Sequence, residues 1–159
     1  MSVPSADRLR AINADLHCHS TVSDGWLEPE AVVLRALANG VELLALTAHD
    51  EVGGIDAAAR VAQAHGLGFV PGVEISVSFV GETIHIVGLG IDHRHPVLLE
   101  ALAQVRSGRD ARAKQMSAAL EKVGIRDALA GARRFARNPA LVSRAHFARH
   151  LVASGVMPD

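Results

Sequence analysis

An α/β fold with a parallel or mostly parallel sheet is predicted by three features of this 159-residue sequence. Short apolar segments alternate with Ala- and Leu-rich stretches of helical spacing. Gly or Pro punctuates most of the junctions, and side chains with nitrogen or oxygen donors recur where the apolar segments end. Strands joined by crossover helices pair in parallel, and polar groups in such folds gather at the carboxyl ends of the strands.

Ala14 to His19 reads as the first strand. Glu28-Pro29-Glu30 opens a helix through Leu37, since Pro29 suits a first turn where its missing N–H costs nothing, and Gly40 ends it. Val41 to Thr47 is a short apolar strand running into Ala48-His49-Asp50. Ile55 to His65 has helical spacing, and Gly66 closes it with His65 favoured by the helix dipole. Leu67 to Ser76 gives a third strand. Val77 to Phe79 with Gly81-Glu82 suggests a turn, and Thr83 to Gly88 a fourth strand carrying His85. After about Asp92 the texture changes: Pro96 to Val123 reads as one or two long helices and Leu141 to Ala153 as another, with Gly, Arg and Asn between them. No strand pattern returns. Four strands cannot close a barrel, so the β/α part, expected over residues 1–95, reads as unfinished beside a helical segment over 96–159.

Composition narrows the classes further. With 49% hydrophobic residues the chain can build one core, or most of a domain plus an appendage. A net charge of −1 and a pI near 6.8 supply no global basic field, which argues against non-specific coating of DNA. One Trp, four Phe and no Tyr leave few platforms for stacking bases. The single Cys18 can form no internal disulfide, no apolar run approaches the ~18 residues of a membrane span, and Met1 to Asn13 lack a signal-peptide core. A cytoplasmic protein is expected.

The chemistry concentrates in Asp15-Leu16-His17-Cys18-His19-Ser20 and Ser23-Asp24-Gly25. Side chains alternate along a strand, so His17 and His19 project together and can grip one ion, while Cys18 faces away as a small buried residue. With His49, Glu74 and His85 at the ends of later strands, six nitrogen or oxygen donors accumulate: His17, His19, Asp24, His49, Glu74 and His85. A transition-metal ion takes three or four protein ligands, and a carboxylate such as Glu74 can bridge two ions, so a centre for two or three divalent metals is inferred. Such a centre supplies hydroxide near neutral pH and holds phosphoryl oxygens in line, so hydrolysis of a phosphate ester follows. The mixed His and carboxylate set suits Mn, Zn or Fe better than Mg alone.

These segments resemble the polymerase and histidinol phosphatase (PHP) superfamily of metal-dependent phosphoesterases. The resemblance rests on Asp15 to Ser20 with Ser23-Asp24-Gly25, on Leu46-Thr47-Ala48-His49-Asp50, on Gly72-Val73-Glu74-Ile75-Ser76 and on His85-Ile86-Val87-Gly88-Leu89, in that order. It implies the N-terminal part of a distorted (β/α)7 TIM-like barrel followed by a helical insertion. Val142-Ser143-Arg144-Ala145-His146-Phe147-Ala148-Arg149 is similar to the insertion of the subgroup that hydrolyses nucleoside 3',5'-bisphosphates and trims short RNA from its 5' end. By this resemblance His17 and His19 bind one metal, Glu74 bridges it to a second also held by His85, and Asp24 with His49 serves a third. Arg144 and His146 are the candidates for gripping a substrate phosphate, the partner being a small phosphorylated nucleotide or a short RNA; no membrane is expected, and protein partners are left open. Two departures stand out. Ala48 occupies a position where the family usually carries Asp, and the later His-Pro motif and Asp/His pair that complete the family's cluster have no counterpart here.

The remaining donors fit simpler roles. His93-Arg94-His95 precedes a helix start and reads as a solvated loop, and His146 and His150 lack the Glu of a His-Glu-x-x-His site. Arg109, Arg112 and Lys114 belong either to a basic rim or to a solvated helix face. Asp15 braces the strand, and Trp26 is read as a packing residue. Two alternatives stay open: a histidinol-phosphate-like phosphomonoesterase, and a truncated metal-binding module without catalysis.

Overall fold

The computed structural model describes residues 11–80, 82–138 and 141–158. Residues 1–10 of the leading segment and Gly81 of the expected turn lie outside these. Four strands, β1 (Ala14–Cys18), β2 (Leu43–Leu46), β3 (Gly68–Phe79) and β4 (Glu82–Leu89), form one sheet in the order β1-β2-β3-β4. The first three run parallel and β4 returns antiparallel to β3. The crossovers are α1 (Pro29–Ala38) and α2 (Ile55–Ala64), whereas β3 and β4 meet as a hairpin with no helix to reverse them. The sheet is therefore mostly parallel, with an antiparallel edge.

Helices α1 and α2 cover one face. Val33, Ala36, Leu44, Leu46, Ala58, Ala62 and Leu67 pack there, with Cys18 turned towards them from β1. Pro29 occupies the first turn of α1, and Gly40 and Gly66 follow α1 and α2 at φ +73° and +70°, where a side chain would strain the backbone. A second cluster of Val52, Ile55, Val73 and Leu102 joins the sheet to α3 (Pro96–Lys122).

Helix α3 is a single helix of 27 residues, about 40 Å long at the usual rise. Its second half leaves the sheet and packs Ala113, Met116 and Leu120 against α4 (Ala128–Arg133) and α5 (Arg144–Ala153) around Phe147 and Ala132. The six-residue α4 has no counterpart in the sequence reading: it holds a Gly and lacks a side-chain cap, so local signals are absent and packing alone fixes it. Among the described residues no helix is long and apolar enough to cross a membrane.

Candidate metal centre

Strand parity and loop geometry bring the six donors together. Ser76 pairs with His85 across the β3–β4 hairpin, and Glu74 lies two residues before Ser76, so Glu74, Ser76 and His85 share one face of the sheet. His49 joins this face through a parallel bridge to Glu74, with the Asp50 N–H donating to the Glu74 carbonyl at 2.9 Å and the Glu74 N–H to the Ala48 carbonyl at 3.1 Å. His17 and His19 reach it from the end of β1. Asp24 comes from the loop between β1 and α1, which is folded so tightly that a Cβ on Gly25 would sit 2.5 Å from the His19 carbonyl oxygen.

Glu74 is the hub. Its Oε2 lies 2.9 Å from His17 Nε2, 2.8 Å from His19 Nε2 and 3.6 Å from His49 Nδ1, and its Oε1 lies 3.7 Å from His85 Nδ1. Asp24 Oδ1 meets His19 Nδ1 at 2.8 Å, and its Oδ2 stands 3.8 Å from His49 Nε2. The rings of His17, His19, His49 and His85 follow one another with centroids 5.2, 4.6 and 4.7 Å apart. Three trios of donors each converge within 4.8 Å: His17, His19 and Glu74; His19, Asp24 and His49; His49, Glu74 and His85.

Two observations test whether cations fit here. His49 Nδ1 is buried and has no hydrogen-bond partner among the described residues, a costly state that a metal ion would relieve. The carboxylates also stay ionised. Burial alone would raise the Asp24 carboxyl, yet the hydrogen bond from His19 and the charges of His49 and His19 hold it well below the usual range. Glu74 is lowered in the same way against its burial by the His17 hydrogen bond and the neighbouring imidazoles. Burial lowers His49 and so favours the uncharged form that ligates metals, whereas Asp24 and Glu74 raise His19 in spite of burial. Imidazole nitrogens interleaved with carboxylate oxygens form a donor set suited to divalent transition metals.

Beside the trios opens a basin of about 90 Å³, lined by Asp24, His49, His85, Arg109, Arg112 and Arg144 among others. Arg144 sits at the first position of α5. His146 does not share its place. The ring is only 1% exposed and its Nδ1 accepts the Ser143 N–H at 3.0 Å, so the imidazole caps the start of α5 and is not offered to the basin. Arg109 lies on the basin wall, tied to Asp50 and 2.9 Å from Ser76 Oγ, while Lys114 pairs outward with Asp110 at 2.8 Å.

Other candidates separate cleanly. His93 Nε2 pairs with Asp56 at 2.9 Å and His150 packs on Gly131, and neither belongs to a converging trio among the described residues. Cys18 donates its S–H to the Ala45 carbonyl at 3.1 Å, and burial with the Asp15 charge pushes its thiol up to about 12, so it is inert. Two residues escaped sequence reasoning: Asp50, fully buried behind His49, and Arg149, which donates to the Asp24 carbonyl at 2.6 Å. Trp26 is 73% exposed with the Arg149 guanidinium over its ring, so it supports an arginine and does not fill a core.

Comparison with known proteins converges on the same segments. Residues 15–144 match the PHP domain. The chain is 52% identical over 147 residues to a 3',5'-nucleoside bisphosphate phosphatase of Chromobacterium violaceum, covering 92% of this chain and 52% of that protein. It is 46% identical over 152 residues to the 5'-3' exoribonuclease Rnm of Escherichia coli, covering 94% of this chain and 52% of the relative. The solved structure of an amidohydrolase from Chromobacterium violaceum, with bound sulfate and no metal, superposes with a TM-score of 0.88 at 52% identity, covering 92% of this chain and 52% of that one. This chain thus spans about half the length of the curated relatives it matches.

Proposed function

This chain belongs to the PHP domain family, and on that premise we propose that it is a metal-dependent phosphoesterase whose substrate is a nucleoside 3',5'-bisphosphate or the 5' end of a short RNA. The observation that carries the reading is the set of three donor trios sharing His19, His49 and Glu74, opening on a basin bordered by arginines. We read His17, His19, Asp24, His49, Glu74 and His85 as holding two or three ions, with Mn first and Zn or Fe as alternatives. Divalent ions bound there would polarise the phosphoryl group and ready a water for attack.

The chain's own residues supply the rest. Asp24 and Glu74, ionised at neutral pH, give the trios their negative charge, and the β3–β4 register fixes His85 opposite Ser76. Arg112 and Arg144 are exposed at the basin and offer forked donors to phosphate oxygens. Arg109 is committed to Asp50 and shapes the wall. A second phosphate on the substrate fits a basin with two guanidinium groups unpaired among the described residues better than a monoester does, which favours a bisphosphate over a histidinol-phosphate-like compound. We take residues 1–95 as the β/α part and 96–159 as a helical insertion roofing the basin, and we place the protein in the cytoplasm, where Cys18 stays reduced.

The test is phosphate release from adenosine 3',5'-bisphosphate by the purified chain with Mn, against a chelated control. Release that needs Mn supports the proposal. Mn bound without release would leave a metal-binding module, and release indifferent to chelation would remove the metal reading.

A further inference from the structure

We infer that Arg149 is a positioning residue for the metal centre, holding Asp24 in ligand geometry from the outer side of its loop. The inference rests on Asp24 being a ligand, as proposed above. Arg149 Nη2 donates to the Asp24 carbonyl at 2.6 Å, and its Cζ lies 4.1 Å from the centroid of the Trp26 ring. One guanidinium thus fastens both neighbours of Gly25, the residue at which the loop is too tight for a side chain. The Asp24 carboxylate is held separately, by His19 Nδ1 on Oδ1 and by the Ser143 hydroxyl donating to Oδ2 at 3.3 Å. Helix α5 therefore reaches Asp24 at two points, of which Arg149 makes the shorter hydrogen bond.

Arg149 stands outside the basin that Asp24 enters, lining a separate recess with Trp26, so apart from its charge it reaches the metal only through Asp24. The side chain type matters. A planar fork can lie flat on the indole while one N–H points along its edge to a carbonyl, whereas a lysine ammonium cannot do both. Trp26 would otherwise be a large aromatic surface left 73% exposed without a purpose.

Positioning and plain electrostatics predict opposite signs. A cation beside a cation site repels the metal, so removing it should tighten binding. Removing a positioning residue loosens it. Mn binding to the full chain, followed by calorimetry and by the electron paramagnetic resonance of free Mn, is compared for wild type, Arg149→Met, Arg149→Lys and Trp26→Leu, with circular dichroism as the check on folding. The expected result is one class of Mn site weakened about tenfold in Arg149→Met, the scale of an outer partner's loss, with the other sites unchanged. Arg149→Lys weakens the same class despite keeping the charge, and Trp26→Leu weakens it about two- to fivefold. Unchanged or tighter binding in Arg149→Met overturns the inference, as does equal loss at every site. Should Arg149→Met fail to fold, Trp26→Leu at its exposed position decides: weakening of one class supports the inference, and wild-type binding overturns it. A wild-type chain that takes up no Mn would overturn the metal reading itself, and this inference with it.

Discussion

Arg109 of α3 closes on Asp50, the residue after His49, with Nε 2.8 Å from Oδ2 and Nη2 on the same oxygen. The other carboxylate oxygen accepts the Ser76 N–H at 2.7 Å, and Arg106 donates to the Asp50 carbonyl at 2.6 Å. Asp50 is fully buried and adopts a left-handed backbone, φ 49°. A long helix is thereby bolted to the strand ends that carry His49 and Glu74.

Removing the cation alone strands a buried carboxylate. Arg109→Met is expected to lower the free energy of unfolding by about 3–5 kcal/mol. Urea titration should show the midpoint falling at constant slope. Asp50→Asn combined with Arg109→Met should recover part of that loss. A midpoint unmoved in Arg109→Met would show that the ion pair is dispensable.

Glu74 faces four imidazoles, whereas Asp24 faces two. Glu74→Gln keeps the shape and removes the charge. It should release more Mn per chain than Asp24→Asn, measured by metal analysis after gel filtration, and reduce phosphate release beyond the roughly 10- to 100-fold that outer partners cost. Equal losses in the two variants would contradict the hub geometry.

His146 gives the fold an acid-sensitive joint. Burial first, then the charge of Arg149, lowers its pKa below the ordinary value of 6.5. Between these values the unfolded chain binds the proton and the folded chain does not, so stability is full above about pH 6.5 and declines as the pH falls below it. Protonation would also remove the acceptor that caps Ser143. His146→Gln can cap the same N–H without titrating, so its thermal midpoint should lose less between pH 7.5 and 5.5 than that of wild type.

Cys18 should behave as a spectator. With its thiol pushed up to about 12, iodoacetamide at pH 8 should label it only after unfolding, and Cys18→Ala should retain phosphate release within a few-fold. Rapid labelling of the native chain would place the thiol outside the packing seen here.

Much of the site was legible because strand alternation is a local rule. His17 and His19 two residues apart, with Cys18 opposite, needed no knowledge of the rest of the chain, and α1 and α2 announced themselves through Pro29, Gly40 and Gly66. What stayed hidden are partnerships made across sequence distance. Asp50 and Arg109 are 59 residues apart, and Asp24 and Arg149 are 125 apart. Nothing near Trp26 signals that an arginine will lie on it. The capping role of His146 stayed hidden for the same reason: a histidine near an arginine at a helix start serves equally for phosphate or for capping, and burial is not written in the local sequence.

The pairing of Ser76 with His85 also makes the site sensitive to chain length in a way that residue identity does not reveal. One residue inserted between Thr83 and His85 would turn the imidazole to the opposite side of the sheet, away from Glu74, with every donor still present in the sequence. Natural variants of this hairpin should therefore exchange side chains at Ile84 or Ile86 freely, yet gain or lose residues only in pairs or outside the strand. Spacing within the hairpin is as heritable a part of the centre as the histidine itself.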